Sequence, residues 1–179
     1  ISKLPAAHIL TLHDGVLKTR RYWQLSFHKN GHTPSLKDAT AQLSDLMADS
    51  VRMRMISDVP LGILLSGGVD SSTVAAYATQ FSSEKVKTFS IGFEEDSFDE
   101  SKYAREVANH LGTEHYEEIL SVDTAADLIS DIGTWLDEPI SDGSLLPTFL
   151  LSKFVRKHVT VALGGDGGDE IFAGYPMYY

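Results

Sequence analysis

Leu61–Ser72 reads Leu-Gly-Ile-Leu-Leu-Ser-Gly-Gly-Val-Asp-Ser-Ser. Ile63, Leu64 and Leu65 form a short apolar run, as expected of a strand buried on both faces of a parallel sheet. Ser66-Gly67-Gly68 breaks that strand. Asp70-Ser71-Ser72 opens a helix that continues through Thr73–Ala78 toward Phe81. Adjacent glycines let the backbone turn tightly and approach a ligand. The helix start points unpaired N–H groups and a positive dipole end back at the loop. Strand, glycine turn and helix N-terminus together make an anion site, and the usual anion is phosphate.

Two familiar phosphate loops are excluded. A Walker A loop needs Gly-Lys-Ser/Thr at the helix start, and there is no lysine here. A dinucleotide fingerprint needs a third glycine, and Ser71, Ser72 and Thr73 follow Asp70 instead. An acid, Asp70, stands where a lysine would neutralise phosphate. Either a cation lies between the two, which suggests Mg²⁺ bridging a polyphosphate, or Asp70 is a plain helix N-cap. Ser66–Ser71 resembles the pyrophosphate loop of the N-type ATP pyrophosphatases. That resemblance implies cleavage of ATP between the α and β phosphates and transfer of AMP to a substrate.

Composition narrows the class. The 179 residues suit a single globular core, and 42% hydrophobic and 22% charged residues are ordinary for one. Lys and Arg number 15 against 25 Asp and Glu, a formal charge of −10. That balance argues against a nucleic-acid surface. With no cysteine, disulfides, thiolate catalysis and cysteine-bound metal are excluded within the chain. No apolar run reaches the roughly 18 residues of a membrane span, and the N-terminus does not read as a signal peptide. The chain therefore reads as cytoplasmic, with no membrane or nucleic-acid partner.

Around the motif the chain alternates strands and helices. His8–Leu12, Asp14-Gly15 and Val16–Leu17 give a hairpin signal. Residues 1–33 read as a hairpin and linker left from a preceding module, and residues 34–179 as the main domain. Leu36, Ala39, Leu43, Leu46, Met47 and Val51 recur at helical spacing after Pro34. Arg52 and Arg54 could reach a phosphate, but such arginines more often pair with acids. Val86–Phe93 reads as a strand, Ser101–Leu111 as a helix ended by Gly112, Thr113–Ile119 as a strand and Val122–Trp135 as a helix. Leu136–Ser144 is an acidic loop, Leu145–His158 a helix and Val159–Leu163 a buried strand. His110 and His115 read as ordinary surface or core histidines, and His158 as a cation at a helix end. The alternation predicts an α/β fold with a doubly wound parallel sheet and an N-terminal β-hairpin appendage.

The last strand runs into Gly164-Gly165-Asp166-Gly167-Gly168-Asp169-Glu170. Like the first loop it follows the carboxyl end of a strand, the edge where open parallel sheets bind ligands. So many glycines leave room for a flat base or ribose, and Asp166 and Asp169 add carboxylates. A solvated turn or a Ca²⁺ loop is the alternative, though the EF-hand spacing is absent.

The two motifs together resemble the synthetase domain of the glutamine-hydrolysing asparagine synthetase B family. The resemblance is strongest from Val59 to Gly174, and Asp137-Glu138-Pro139 and Pro147 also fit it. It implies an adenine nucleotide α-hydrolase-like (HUP) fold and a fragment truncated at both ends, lacking the glutaminase domain that supplies ammonia. By position, Leu64 and Ile91 would line the adenine pocket. Gly164 and Gly165 would contact adenosine. Ser66, Gly67, Gly68, Ser71 and Ser72 would cradle the β and γ phosphates, and Asp70 and Asp169 would hold Mg²⁺. Asp166 falls where the family has an acid proposed to deprotonate ammonia; the bacterial branch has glutamate there. The implied reaction is ATP-dependent amidation of a carboxylate through an acyl-adenylate, with aspartate the first candidate acceptor. Asp137–Ser144 would lie near that acceptor, but it lacks the arginine and threonines of the asparagine synthetase pattern. A homodimer is compatible with this reading. The alternatives are a fragment that binds ATP and Mg²⁺ without full activity, its downstream lysine missing, or a related pyrophosphatase-type ligase with another acceptor.

Overall fold

Asp14 and Gly15 both take positive φ, 49° and 76°, which defines the two-residue turn that matches the twist of a hairpin. The turn joins β1 (His8–His13) to β2 (Val16–Arg21), antiparallel with His13 opposite Val16 and His8 opposite Arg21. The computed structural model describes residues 2–26, 34–94, 101–120, 132–138 and 140–178. These fall into two units, Ile1–Ala39 and Thr40–Tyr179. The predicted linker 28–33, most of the acidic loop after Phe93, most of the predicted helix 122–135 and Pro139 lie outside the described residues.

The long helix α1 (Leu36–Arg54) begins after Ser35. The Asp38 N–H donates to Ser35 Oγ at 3.2 Å, and the Ser35 hydroxyl donates to Asp38 Oδ2 at 2.6 Å. This reciprocal pair satisfies a helix-end donor. The sheet follows: β3 (Leu61–Leu64), α2 (Val69–Phe81), β4 (Lys87–Phe93), α3 (Ser101–Leu111), β5 (Glu114–Leu120), α4 (Leu145–Val155) and β6 (Val161–Leu163), then a five-residue helix α5 (Gly168–Phe172). Strand order is β5-β4-β3-β6 and every pairing is parallel.

Side chains alternate across the sheet, and the two faces are covered differently. Leu61, Ile63 and Leu65 face one way and pack with Val51 of α1, Val74, Ala75 and Ala78 of α2, and Ala104 and Ala108 of α3. Leu64, Phe89 and Ile91 face the other way and pack with Leu151, Phe154 and Val155 of α4. Helices on both faces make the sheet doubly wound, as predicted. Phe89 centres the second face. It is fully buried, stacked on Tyr116 at 5.3 Å and edge-on to Phe154 at 6.0 Å. His158 is held in the same aromatic group, 4.3 Å from the Tyr116 ring and 5.4 Å from Phe154. The helix-end reading changes in one respect: α4 stops at Val155, and the following turn folds the His158 ring inward among the aromatics. Among the described residues no helix is long and apolar enough to cross a membrane.

Truncating a fully buried aromatic leaves a cavity that a parallel sheet relaxes into poorly. Phe89→Ala is expected to lower the unfolding free energy by about 3–5 kcal/mol in urea titrations. A loss under about 1 kcal/mol would remove Phe89 from the centre of this face.

Candidate functional site

The chain passes from β3 outward to β4 and β5, and later returns to add β6 on the other side of β3. β3 and β6 are thus neighbours where the strand order switches, so the loops leaving them meet at the carboxyl edge, where open parallel sheets hold their crevice. Ser66–Ser72 leaves β3, Gly164–Glu170 leaves β6, and between them lies a cavity of about 900 Å³. Of the residues expected to form the site, all but Gly67 and Ser72 line it.

The first loop is tied by its own serines. The Ser66 N–H donates to Ser71 Oγ at 3.2 Å, and the two hydroxyls lie 3.0 Å apart. The Gly68 N–H donates to Ser66 Oγ at 3.2 Å. Gly67 turns the chain at φ 84°, and a Cβ there would lie 2.6 Å from the α3 backbone at Tyr103 and Ala104. Gly67 thus serves the turn and the seating of α3. Ser72 Oγ is sealed from solvent and has no hydrogen-bond partner among the described residues.

The N-cap of α2 is Gly68, and no side chain caps the helix. Asp70 therefore does not act as the N-cap. The N-terminal turn keeps its dipole end and N–H groups at the cavity wall, formed there by Gly68, Val69, Asp70 and Ser71. The second loop lies directly on this turn. A Cβ on Gly165 would sit 2.7 Å from the Ser71 nitrogen and 2.9 Å from the Asp70 Cβ. A Cβ on Gly168 would sit 2.9 Å from Asp70 Oδ1. Glycine at these positions lets the two loops share one cavity.

The cavity wall is acidic. Asp70, Asp166, Asp169 and Glu170 line it, and none of the described lining residues is Lys, Arg or His. Asp70, Asp166 and Asp169 make no side-chain hydrogen bond or ion pair among the described residues. Glu170 accepts the Tyr175 hydroxyl at 2.9 Å, and that bond pushes the Tyr175 phenol above its usual range. No group of three or more His, Cys, Asp and Glu side chains with metal-binding geometry exists among the described residues. The carboxylates on offer at the wall are those of Asp70, Asp166, Asp169 and Glu170, with Asp70 and Asp169 the two expected from the sequence. That suits Mg²⁺, which usually takes one or two carboxylates and fills its shell with water and substrate phosphate.

Other expectations fall elsewhere. Arg52 pairs with Asp49 at 2.6 Å and Arg54 with Ser50 Oγ at 2.7 Å, both along α1. No described residue of 136–144 lines the cavity; its far wall comes from Pro147, Thr148 and Leu151 of α4. Asp142 instead accepts the Ser144 N–H and hydroxyl, each at 2.8 Å, which holds its carboxyl below the usual range. Sequence reasoning passed over Ser90, Ser101 and Tyr175, which also line the cavity. Ser90 had one visible signal: a hydroxyl set between two large apolar residues, Phe89 and Ile91.

Ser90 leads into a buried polar seam beneath α3. His115 of β5 lies with Nδ1 2.9 Å from Thr88 Oγ1 and Nε2 3.2 Å from Ser90 Oγ. Burial lowers the His115 pKa from 6.5, the nearby Glu117 carboxylate opposes the shift, and Arg105 adds to it. The folded protein therefore resists protonating this ring while the unfolded chain accepts the proton. Stability is retained above pH 6.5 and lost as pH falls below it.

Two outcomes follow. Gly165→Val is expected to lower unfolding stability by about 1–3 kcal/mol, as overpacking does; an unchanged urea midpoint would show that the loops do not meet there. His115→Gln is expected to flatten the loss of stability between about pH 7.5 and about pH 5.5 relative to the unsubstituted protein. Parallel pH profiles for the two proteins would refute the buried-ring account.

Residues 42–179 match the asparagine synthase family. The chain is 37% identical over 174 residues to asparagine synthetase [glutamine-hydrolyzing] 1 of Bacillus subtilis, covering 97% of this chain and 27% of that protein. It is 41% identical over 155 residues to a putative asparagine synthetase [glutamine-hydrolyzing] 2 of Methanocaldococcus jannaschii, covering 86% of this chain and 30% of that protein. The chain thus spans under a third of the length of these curated relatives. Among solved structures, an NH3-dependent NAD synthetase from Campylobacter jejuni superimposes with a TM-score of 0.50 at 18% identity, over 75% of this chain and 60% of that one, a likeness of fold. With its two glycine loops at the switch point and most of its length matched, the chain belongs to the asparagine synthase family.

Proposed function

We propose that this chain carries the ATP site of an amide-forming ligase that activates a carboxylate, aspartate first among the candidates, as its acyl-adenylate. The observation that carries this reading is the seating of Gly165 on the uncapped first turn of α2. It joins an anion-attracting helix end to a set of unneutralised carboxylates in one cavity.

In this reading the first-turn N–H groups of α2 and the loop Ser66–Gly68 receive the β and γ phosphates. The adenosine lies along Leu64, Ile91, Gly164 and Gly165. Asp70 and Asp169 would hold Mg²⁺, which supplies charge neutralisation on the departing pyrophosphate. A substrate carboxylate oxygen bonds to the α phosphorus as the bond to the bridging oxygen breaks, and the preorganised N–H groups take up the charge that grows on the leaving group. Ammonia then adds to the acyl carbon, AMP leaves with the carbon–oxygen bond pair, and the surplus proton passes to the exposed Asp166 carboxylate. The ammonia would come from outside this chain, in keeping with the glutamine-hydrolyzing names of its relatives.

The test is pyrophosphate release from ATP and Mg²⁺ with added ammonia, with and without aspartate. Aspartate-dependent release is expected. Release that ignores aspartate would overturn the acceptor, and ATP binding without release would leave a binding module. Asp70→Asn is expected to weaken Mg·ATP binding by about tenfold or more, roughly 1.4 kcal/mol per factor of ten. Unchanged affinity in calorimetry would overturn its role toward the cation.

A further inference from the structure

The seam beneath α3 contains a largely covered base, His115, and acid, Glu117, that the proposed chemistry does not use. Thr88 is fully buried and Ser90 is 4% exposed. Parallel register sets Thr88 beside His115 and Ser90 beside Glu117. His115 Nε2 lies 3.9 Å from Glu117 Oε2, and Glu117 Oε1 accepts Arg105 Nη2 at 2.7 Å. Glu117 Oε2 is itself sealed from solvent and has no hydrogen-bond partner among the described residues.

The Glu117 carboxylate sets the direction of the hydrogen bonds around His115. A lone pair on Nε2 would face a buried carboxylate oxygen, so Nε2 carries the hydrogen. Burial disfavours a second proton on the ring. Nδ1 is then an acceptor and takes the Thr88 hydroxyl. Thr88 Oγ1 also lies 2.8 Å from Thr113 Oγ1, whose hydroxyl has the Ala108 carbonyl as a second, longer acceptor at 3.4 Å. On the other side Nε2–H donates to Ser90 Oγ. Ser90 accepts there and keeps its own O–H unspent, with no other hydrogen bond among the described residues. Ser90 also lines the cavity, beside Ile91 on the same strand.

We propose that Ser90 reads the bound nucleotide by donating its hydroxyl hydrogen to a ligand acceptor atom, a base ring nitrogen or a phosphate oxygen, with His115 as the residue that orients it. A serine oriented from behind by a neutral ring is an obligate donor toward the cavity. It discriminates for an acceptor and against a donor at that point of the ligand. The inference rests on the ATP reading above.

The experiment measures calorimetric affinity of the full chain for Mg·ATP, Mg·pyrophosphate and adenosine. Ser90→Ala is expected to weaken Mg·ATP by about threefold to tenfold, the worth of one neutral hydrogen bond. Ser90→Cys, nearly isosteric and a poor donor, guards against a packing defect and should weaken it similarly. A loss shared with adenosine assigns the acceptor to the base or ribose, and a loss shared with pyrophosphate assigns it to a phosphate; both support the donor role. His115→Met should reproduce the loss with no further effect in the Ser90→Ala background. His115→Gln, which keeps an N–H at the Nε2 position, should restore affinity, as a merely structural histidine would not require. Wild-type affinity for all three probes in both Ser90 variants overturns the inference and leaves the ATP reading standing. Failure of the unsubstituted chain to bind Mg·ATP overturns both.

Discussion

The seating of one backbone on another, Gly165 on the first turn of α2, is the contact from which the site follows. A helix that starts without a side-chain cap leaves its first N–H groups unsatisfied. In most proteins a Ser, Thr or Asp closes that end. Here the cap is Gly68, and the hydroxyls nearby are occupied in tying the loop, Ser66 to Ser71 and Gly68 to Ser66. The helix end therefore stays open toward the cavity. The second loop packs against it only because Gly165 and Gly168 offer no Cβ. Any side chain there would push the Asp169 loop away from the Asp70 turn and split one site into two surfaces.

The two faces of the sheet serve different ends. Under α4, apolar and aromatic packing around Phe89 supplies cohesion, by burial that needs no direction. Under α3 the contacts are directional: hydroxyls, an imidazole, a carboxylate and a guanidinium in one run from Thr113 to Arg105. A buried polar network of this kind contributes little net stability but tolerates few alternative arrangements. It lies under the stretch of β4 that reaches the cavity, so its rigidity is transmitted to Ser90.

Local chemistry was legible in the residues. The Asp-Gly turn, the strand–Ser-Gly-Gly–helix passage and the alternation that builds a parallel sheet each depend on neighbours in the chain, and each was found where expected. What depends on partners distant in sequence was not. Gly67 reads locally as a phosphate-loop glycine, and its close approach to the α3 backbone is a second demand on it that no local pattern announces. His158 read as a residue at a helix end, and nothing local announced that β4 and β5 bring Phe89 and Tyr116 around its ring. Arg52 and Arg54, by contrast, bond locally along α1 to Asp49 and Ser50, and for Arg52 this is the pairing with an acid that such arginines commonly make. Ser90 escaped notice because its meaning lies in the ring behind it, 25 residues further along the chain.

The electrostatics of the cavity point two ways at once. The α2 dipole end, equivalent to about half a positive charge, attracts an anion. The carboxylates of Asp70, Asp166 and Asp169 repel one, and no described lining residue offsets them. A neutral ligand would satisfy neither element. A bare polyphosphate would gain from the helix end and lose against the acids. Only an anion that brings its own cation relieves both, with phosphate oxygens toward the N–H groups and the metal toward the carboxylates. Asp70 sits at the junction of the two fields, on the helix whose end attracts phosphate and against the loop that carries Asp169. Its acidity would be a liability in a simple phosphate loop; in the proposed site for a metal–polyphosphate it would favour the metal-bound ligand over the free one.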